Sequence, residues 1–223
     1  MVILQRVTPR VTLCRVNTSP YVTRLVARAP LRTVRVADLA QVYAHPRKEV
    51  RELERRGVLH RLAYGVYCAV PPEADPSTWR PSIEAATAAV ATVHFGDRVP
   101  VLIGLSAARV HRALPRAIGA GYVAAPAFRR PTRLLDRDAE IRYSQRDVAA
   151  LDAVLVTTDL GQALVTTTEQ TVLDLARSDP RGADLDAQEA ISTLWPQCDT
   201  AVLAEIAGRQ RMRATFERVA AGR

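Results

Sequence analysis

The sequence predicts an α+β chain in two parts: a small amino-terminal unit of helices closed by a β-hairpin, then a mixed α/β body with a helical carboxyl terminus. Three observations carry this expectation. The order helix, helix, turn, helix, hairpin can be read between Tyr21 and Val70. Strand and helix patterns alternate from Ser82 to Thr166, and helical patterns alone follow Thr167. The positive charge gathers at one end: residues 1–72 hold 13 Arg and Lys against four Asp and Glu, a net of +9, while the rest carries 18 basic and 19 acidic side chains. A basic module on a near-neutral body favours a polyanionic partner, because each neutralised phosphate releases condensed counterions.

The elements follow in order. Residues 1–16 show neither helical nor strand periodicity and are expected to form a mobile basic arm. Asn17-Thr18-Ser19-Pro20 has the composition of a helix entry, and Tyr21, Val22, Leu25 and Val26 form the apolar stripe of a short helix ending near Ala29. Arg35 and Val36 are expected to be extended, with Asp38 near the positive end of a helix that runs to about Tyr43. Pro46 suits the first turn of a third helix, since its missing N–H costs nothing there, and Gly57 suits the left-handed residue that closes it after Arg56. Residues 58–62 and 66–70 are β-prone and flank Ala63-Tyr64-Gly65, a hairpin. Pro71-Pro72-Glu73-Ala74-Asp75-Pro76 cannot continue a helix or a central strand, so it marks the boundary between a winged helix-turn-helix domain at 17–72 and an α/β domain at 73–223.

In the body, a helix is expected at 82–95, a strand at 99–103 and a helix at 106–113 with Ser106 as its N-cap. Strands follow near Tyr122 and at 141–144, 153–157 and 163–166. Thr167 and Gln170 have the spacing of a capping box, and further helices are expected at 184–194, 200–207 and 209–220.

At 223 residues and 48% hydrophobic content, the chain can bury a substantial core. Charged residues interrupt every apolar stretch short of the roughly 18–20 residues that span a bilayer, so no membrane partner is expected. The first residues lack an apolar signal core and a cleavage site, which points to the cytoplasm. Cys14, Cys68 and Cys198 stand far apart, without CxxC or zinc spacing, so reduced thiols and neither metal nor cofactor are expected. The basic residues are 30 Arg and one Lys. Such a bias reflects a GC-rich bacterial genome, so Arg in place of Lys at one site carries little meaning.

On a helical wheel, Pro46, Val50 and Leu53 share one sector, which faces the core. Lys48, Arg55 and, slightly off-centre, Arg51 stand opposite, Arg47 and Arg56 flank them, and Arg61 and Tyr64 lie in or beside the hairpin tip. A helix with these groups can enter a DNA major groove, where Arg reads guanine bidentately, while the hairpin follows the backbone as a wing. The competing explanation is a solvated face partly neutralised by Glu49, Glu52 and Glu54. Agreement of element order, glycine stop, hairpin and local charge favours DNA. A second cluster, Arg129, Arg130, Arg133 and Arg137, is explained either by solvation or by a secondary contact to DNA or to a protein partner.

Val36-Ala37-Asp38-Leu39-Ala40, then Val50-Arg51-Glu52-Leu53-Glu54-Arg55-Arg56-Gly57, then Leu59-His60-Arg61-Leu62-Ala63-Tyr64-Gly65-Val66-Tyr67, resemble the winged helix of the AbiEi antitoxin family. Gly104-Leu105-Ser106-Ala107-Ala108 with Val110-His111, and Thr167-Thr168-Glu169-Gln170-Thr171-Val172-Leu173-Asp174-Leu175, resemble its second domain. The resemblance covers roughly residues 17–177. It implies an antitoxin of a type IV bacterial toxin–antitoxin pair that represses its own operon at an inverted-repeat operator and counters a nucleotidyltransferase-like toxin. It also implies DNA contact by Lys48, Arg51, Arg55, Arg61 and Tyr64. The Arg-bearing residues 1–16 depart from the family pattern.

Catalytic constellations are weak. Gly104-Leu105-Ser106-Ala107-Ala108 has the outline of a nucleophile elbow, but no histidine follows His111 to complete a triad in the order Ser, acid, His. No GxxxxGK[ST] loop occurs. His45, His60, His94 and His111 have no metal-ligand spacing; the first two suit turns or polar contacts beside DNA, the others core or surface positions. Trp79 and Trp195 adjoin prolines and suit domain edges. No catalytic residue is assigned. The alternatives to the antitoxin reading are an enzyme that inactivates its toxin by atypical phosphoryl transfer and a winged-helix repressor with no toxin partner.

Overall fold

The structure, a computed structural model, describes residues 19–41 and 43–222. The basic arm expected at 1–16 lies outside the described residues. The amino-terminal module runs α1 (Ser19–Arg28), β1 (Thr33–Arg35), α2 (Val36–Leu39), α3 (Pro46–Arg55), β2 (Leu59–Ala63) and β3 (Val66–Ala69). Its three strands form an antiparallel sheet in the order β1-β3-β2. The third helix, its glycine stop and the hairpin stand where the sequence puts them. The helix expected to reach Tyr43 ends instead at Leu39, and Tyr43 is buried in the module's core. The strand at Thr33–Arg35 was legible only as an extended Arg35, because its pairing partner lies more than thirty residues away, in register with Val66 to Cys68.

Alternation along β3 explains why both faces of this small sheet are covered. Tyr67 joins Val22, Val26, Leu39, Val50, Leu53 and Leu59 in a cluster under the helices, while Val66 and Cys68 point the other way, into the body. Leu31 does the same from the turn before β1. It holds a left-handed backbone, φ 49°, which costs about 1–2 kcal/mol for a non-glycine residue. Burying its side chain in the body offsets that with about 1.5–3 kcal/mol.

The body contains α4 (Ile83–Phe95), β4 (Val101–Leu102), α5 (Gly104–Val110), β5 (Ala120–Ala125), β6 (Thr132–Arg133), β7 (Glu140–Gln145), β8 (Ala153–Thr158) and β9 (Gly161–Thr166). Its six strands run β6-β7-β5-β4-β9-β8, parallel at β5/β7 and β4/β9 and antiparallel elsewhere. Ser82 caps α4 by accepting from the Ala85 N–H at 3.3 Å. From Ile83 to Thr92 that helix is buried on every side, because it lies between the two sheets. Alanine dominates it for that reason: two sheets can approach one helix only where its side chains are short. Gly121 on β5 meets the helix at Thr87, where an added Cβ would stand 1.8 Å from Oγ1.

Four helices, α6 (Thr168–Ser178), α7 (Leu185–Leu194), α8 (Thr200–Arg209) and α9 (Arg213–Ala221), pack through a second cluster that includes Ala108 and Ala113. Thr167 caps α6 by accepting from the Gln170 N–H at 3.3 Å, but the reciprocal half of the expected box is absent: the Gln170 side chain bonds Asp174 at 3.1 Å and accepts from the Asp152 N–H at 3.3 Å. Ser106 is not an N-cap. Helix α5 starts two residues earlier, at Gly104 with φ 55°, and the buried Ser106 Oγ accepts from the Tyr122 N–H at 2.8 Å, tying the helix to β5. Among the described residues no helix is long and apolar enough to cross a membrane.

The proline-rich boundary separates the two sheets along the chain but not their interiors. One hydrophobic cluster runs from Leu31, Leu62, Val66 and Cys68 into Val90, Leu102, Val123, Ile141 and Val165. The linker folds back on the module: Gly57, φ 70°, lies so close to Pro76 that a Cβ would stand 2.4 Å from the proline's own. A polar latch adds to this. His60 on β2 lies 2.9 Å from Asp136 Oδ2, Arg137 donates to the same oxygen at 2.8 Å and to the Pro81 carbonyl at 2.6 Å, and Trp79 meets the His60 ring edge-on at 5.7 Å. Burial alone would raise the Asp136 carboxyl, but hydrogen bonds from His60 and Arg137, with their charge, hold it well below the usual carboxylate range.

Candidate nucleic-acid interface

Helix α3 carries its functional side chains on two faces, set by spacings of three and four residues. Val50 and Leu53 are 1% exposed and fix its rotation. On one side Arg47, Arg51 and Glu54 turn toward the β2–β3 hairpin and, with Arg35, Arg61, Tyr64, Tyr67 and His94, line a cleft of about 450 Å³. On the other side Lys48 and Arg55 face solvent, and Arg55 pairs with Glu52. Arg56 is exposed at the C-cap. The basic set expected on one outward face is therefore divided: Arg47 and Arg51 join the hairpin residues, whereas Lys48, Arg55 and Arg56 stay outside the cleft.

The hairpin wall is built around Arg61. Its guanidinium carbon is 5.8 Å from the ring centroids of both Tyr64 and Tyr67, and its Nε is buried without a hydrogen-bond partner among the described residues. Arg61 and Tyr67 stand opposite each other in the β2–β3 register, which brings them together across the strands. Tyr64 occupies the turn, 87% exposed, next to Gly65 at φ 73°. Burial, and then the charge of Glu54, raise the Tyr67 phenol above its ordinary value, so it stays neutral. Arg35, at the end of β1 and paired with Val66 of the hairpin, donates to Asp38 at 2.8 Å.

The body closes one end through His94, in the last turn of α4. Burial, followed by the charges of Arg129 and Arg35, pushes this imidazole down to about 4. It is neutral at pH 7, and Arg129 donates to its Nε2 at 2.9 Å, so the ring proton resides on Nδ1. Arg129 also lies 5.8 Å over the Tyr143 ring. Of the second basic cluster, only Arg129 reaches the cleft's surroundings. Arg130 is exposed, Arg133 pairs with Asp138 at 3.3 Å, and Arg137 belongs to the latch. Arg35, Tyr67 and His94 are the cleft residues that sequence reasoning missed. Cross-strand register could have offered Tyr67, but His94 arrives by tertiary packing and leaves no local signal.

Among the described residues, no group of three or more His, Cys, Asp or Glu side chains is placed to hold a metal ion. His111 is engaged with the Thr166 carbonyl at 2.7 Å.

The sequence matches no protein-family model, and no curated protein matches it. The fold is similar to that in the crystal structure of the RV2827C protein from Mycobacterium tuberculosis, with a TM-score of 0.54 at 18% identity, over 89% of this chain and 76% of that one. At that identity the likeness speaks for the α+β fold alone.

Proposed function

We propose that residues 17–72 form a winged helix that binds duplex DNA, and that the chain is an AbiEi-type antitoxin repressing its own operon. One observation carries the DNA-binding part. Arg47 and Arg51 from α3 converge with Arg61 and Tyr64 from the hairpin, and with Arg35, which is paired with Asp38, on a single cleft where Glu54 is the one carboxylate among the described lining residues. The helix–sheet order and the antiparallel β1-β3-β2 sheet support the winged-helix reading. In this reading α3 lies in the major groove, Lys48, Arg51 and Arg55 reach base edges, and the hairpin follows the neighbouring strand with Arg61 on phosphate. Arg47 and Arg56 clamp the flanking backbone. From the body, Arg129 and Arg130 add phosphate contacts; Arg133 and Arg137, engaged with carboxylates, add less. Neutralisation of a nucleotidyltransferase-like toxin rests on the sequence resemblance, and growth rescue on co-expression with the adjacent gene is its test.

Binding of the native promoter fragment and of an unrelated duplex, measured across a salt series, tests the DNA-binding part. The promoter is expected to bind more tightly, with log K falling linearly in log salt. Arg51→Ala is expected to cost about 1–3 kcal/mol on the promoter, while Arg61→Ala weakens both duplexes alike and lowers the salt slope by about one. Equal retention of the two fragments, insensitive to salt, would overturn the proposal.

A further inference from the structure

The cleft between α3 and the hairpin has features that a duplex backbone alone does not call for. The Arg61 guanidinium lies 5.8 Å from the centroids of two rings, and its Nε is buried without an acceptor among the described residues. The terminal nitrogens of Arg61 remain as donors for an incoming anionic oxygen, and hydrogen bonds to a charged group are the strong ones. Tyr64 offers a nearly bare ring beside it. Base faces in a duplex are covered by neighbouring pairs, so a bare tyrosine face suits a base that is not in a helix. The volume, about 450 Å³, falls in the ~300–1,000 Å³ range of small-molecule sites. Arg47, Arg51 and Arg61 set an anionic preference, Arg35 being paired with Asp38, while Glu54 supplies an acceptor for a sugar or base edge.

We propose that this cleft binds a free nucleotide, with its phosphate on Arg51 and Arg61 and its base stacked on Tyr64, and that occupation of the cleft displaces duplex DNA. Only the displacement rests on the DNA-binding reading; the nucleotide site stands on the cleft itself. An unpaired nucleotide within a nucleic-acid strand carries the same chemistry, so the test separates the two sources.

Isothermal titration of the full chain with ATP, AMP, adenosine, inorganic phosphate and a single-stranded oligothymidylate, with parallel competition against a labelled promoter duplex, tests the proposal. ATP and AMP are expected to bind with Kd below about 1 mM, adenosine and phosphate far more weakly, and ATP is expected to release the duplex. Tyr64→Ala should weaken AMP about tenfold, with recovery in Tyr64→Phe. Arg61→Ala should remove binding, and Arg209→Ala on α8 should leave it unchanged. Normal promoter binding without nucleotide binding overturns this proposal and spares the DNA-binding reading. Phosphate binding as tightly as AMP, indifferent to Tyr64→Ala, overturns the stacked base. Binding of the oligothymidylate with none of the free nucleotides overturns the free-nucleotide source. Nucleotide binding that leaves promoter occupancy unchanged overturns the displacement.

Discussion

Asp136 shows how a single side chain joins chain segments that the sequence presents as separate. Its carboxylate is 4% exposed and accepts from both His60 and Arg137, so its removal leaves Arg137 without its compensating charge. Asp136→Asn is expected to cost about 3 kcal/mol, the lower end of the range for breaking a buried pair, because Arg137 keeps 22% exposure. The acid limb of stability should change with it. The folded carboxyl titrates below its unfolded value, so its contribution is complete above about pH 4 and is lost as pH falls toward the folded pKa. Urea titrations at pH 7 and pH 3 should therefore show a smaller loss in the variant than in the parent chain. None of this pairing was legible in the sequence. His60 read as a turn or DNA-side histidine and Arg137 as one of four surface arginines, because a contact across 76 residues leaves no local pattern. Arg51, Arg61 and Tyr64 were legible, since helical spacing and a hairpin signal are local.

At the scale of elements, the constraint falls where α4 crosses β5. Thr87 Oγ1 is buried without a hydrogen-bond partner among the described residues, directly above Gly121. Gly121→Ala brings a methyl group into the threonine, and the helix cannot retreat because the other sheet lies behind it. A loss of about 1–3 kcal/mol is expected, as for other overpacked cores. Thr87→Ala in the same chain should recover about half of it or more, a non-additivity that thermal or urea unfolding of the four chains would measure. Sequence periodicity located α4 to within one residue at its start, yet could not say that all sides of it are covered. The alanine run is the trace of that burial, and it can also be read as plain helix propensity. β6 escaped for a different reason: its two residues are too short to show alternation.

For the molecule as a whole, the boundary at residues 71–76 marks a change of sheet, yet one hydrophobic cluster crosses it while another stays within the module. A cluster shared between Leu62 and Val123 predicts that module and body unfold together. Scanning calorimetry should give one transition with equal calorimetric and van't Hoff enthalpies, whereas two resolved transitions would refute the shared interior. The sequence divides the chain by charge and by element type at this boundary, where the sheet also changes. It overstated the independence of the pieces, because prolines report on local backbone geometry and carry no information about what lies beneath them. Since α4 fills the underside of the first sheet and is itself covered by the second, a cut at the prolines or after Gly96 alike would lay a broad greasy face open to solvent.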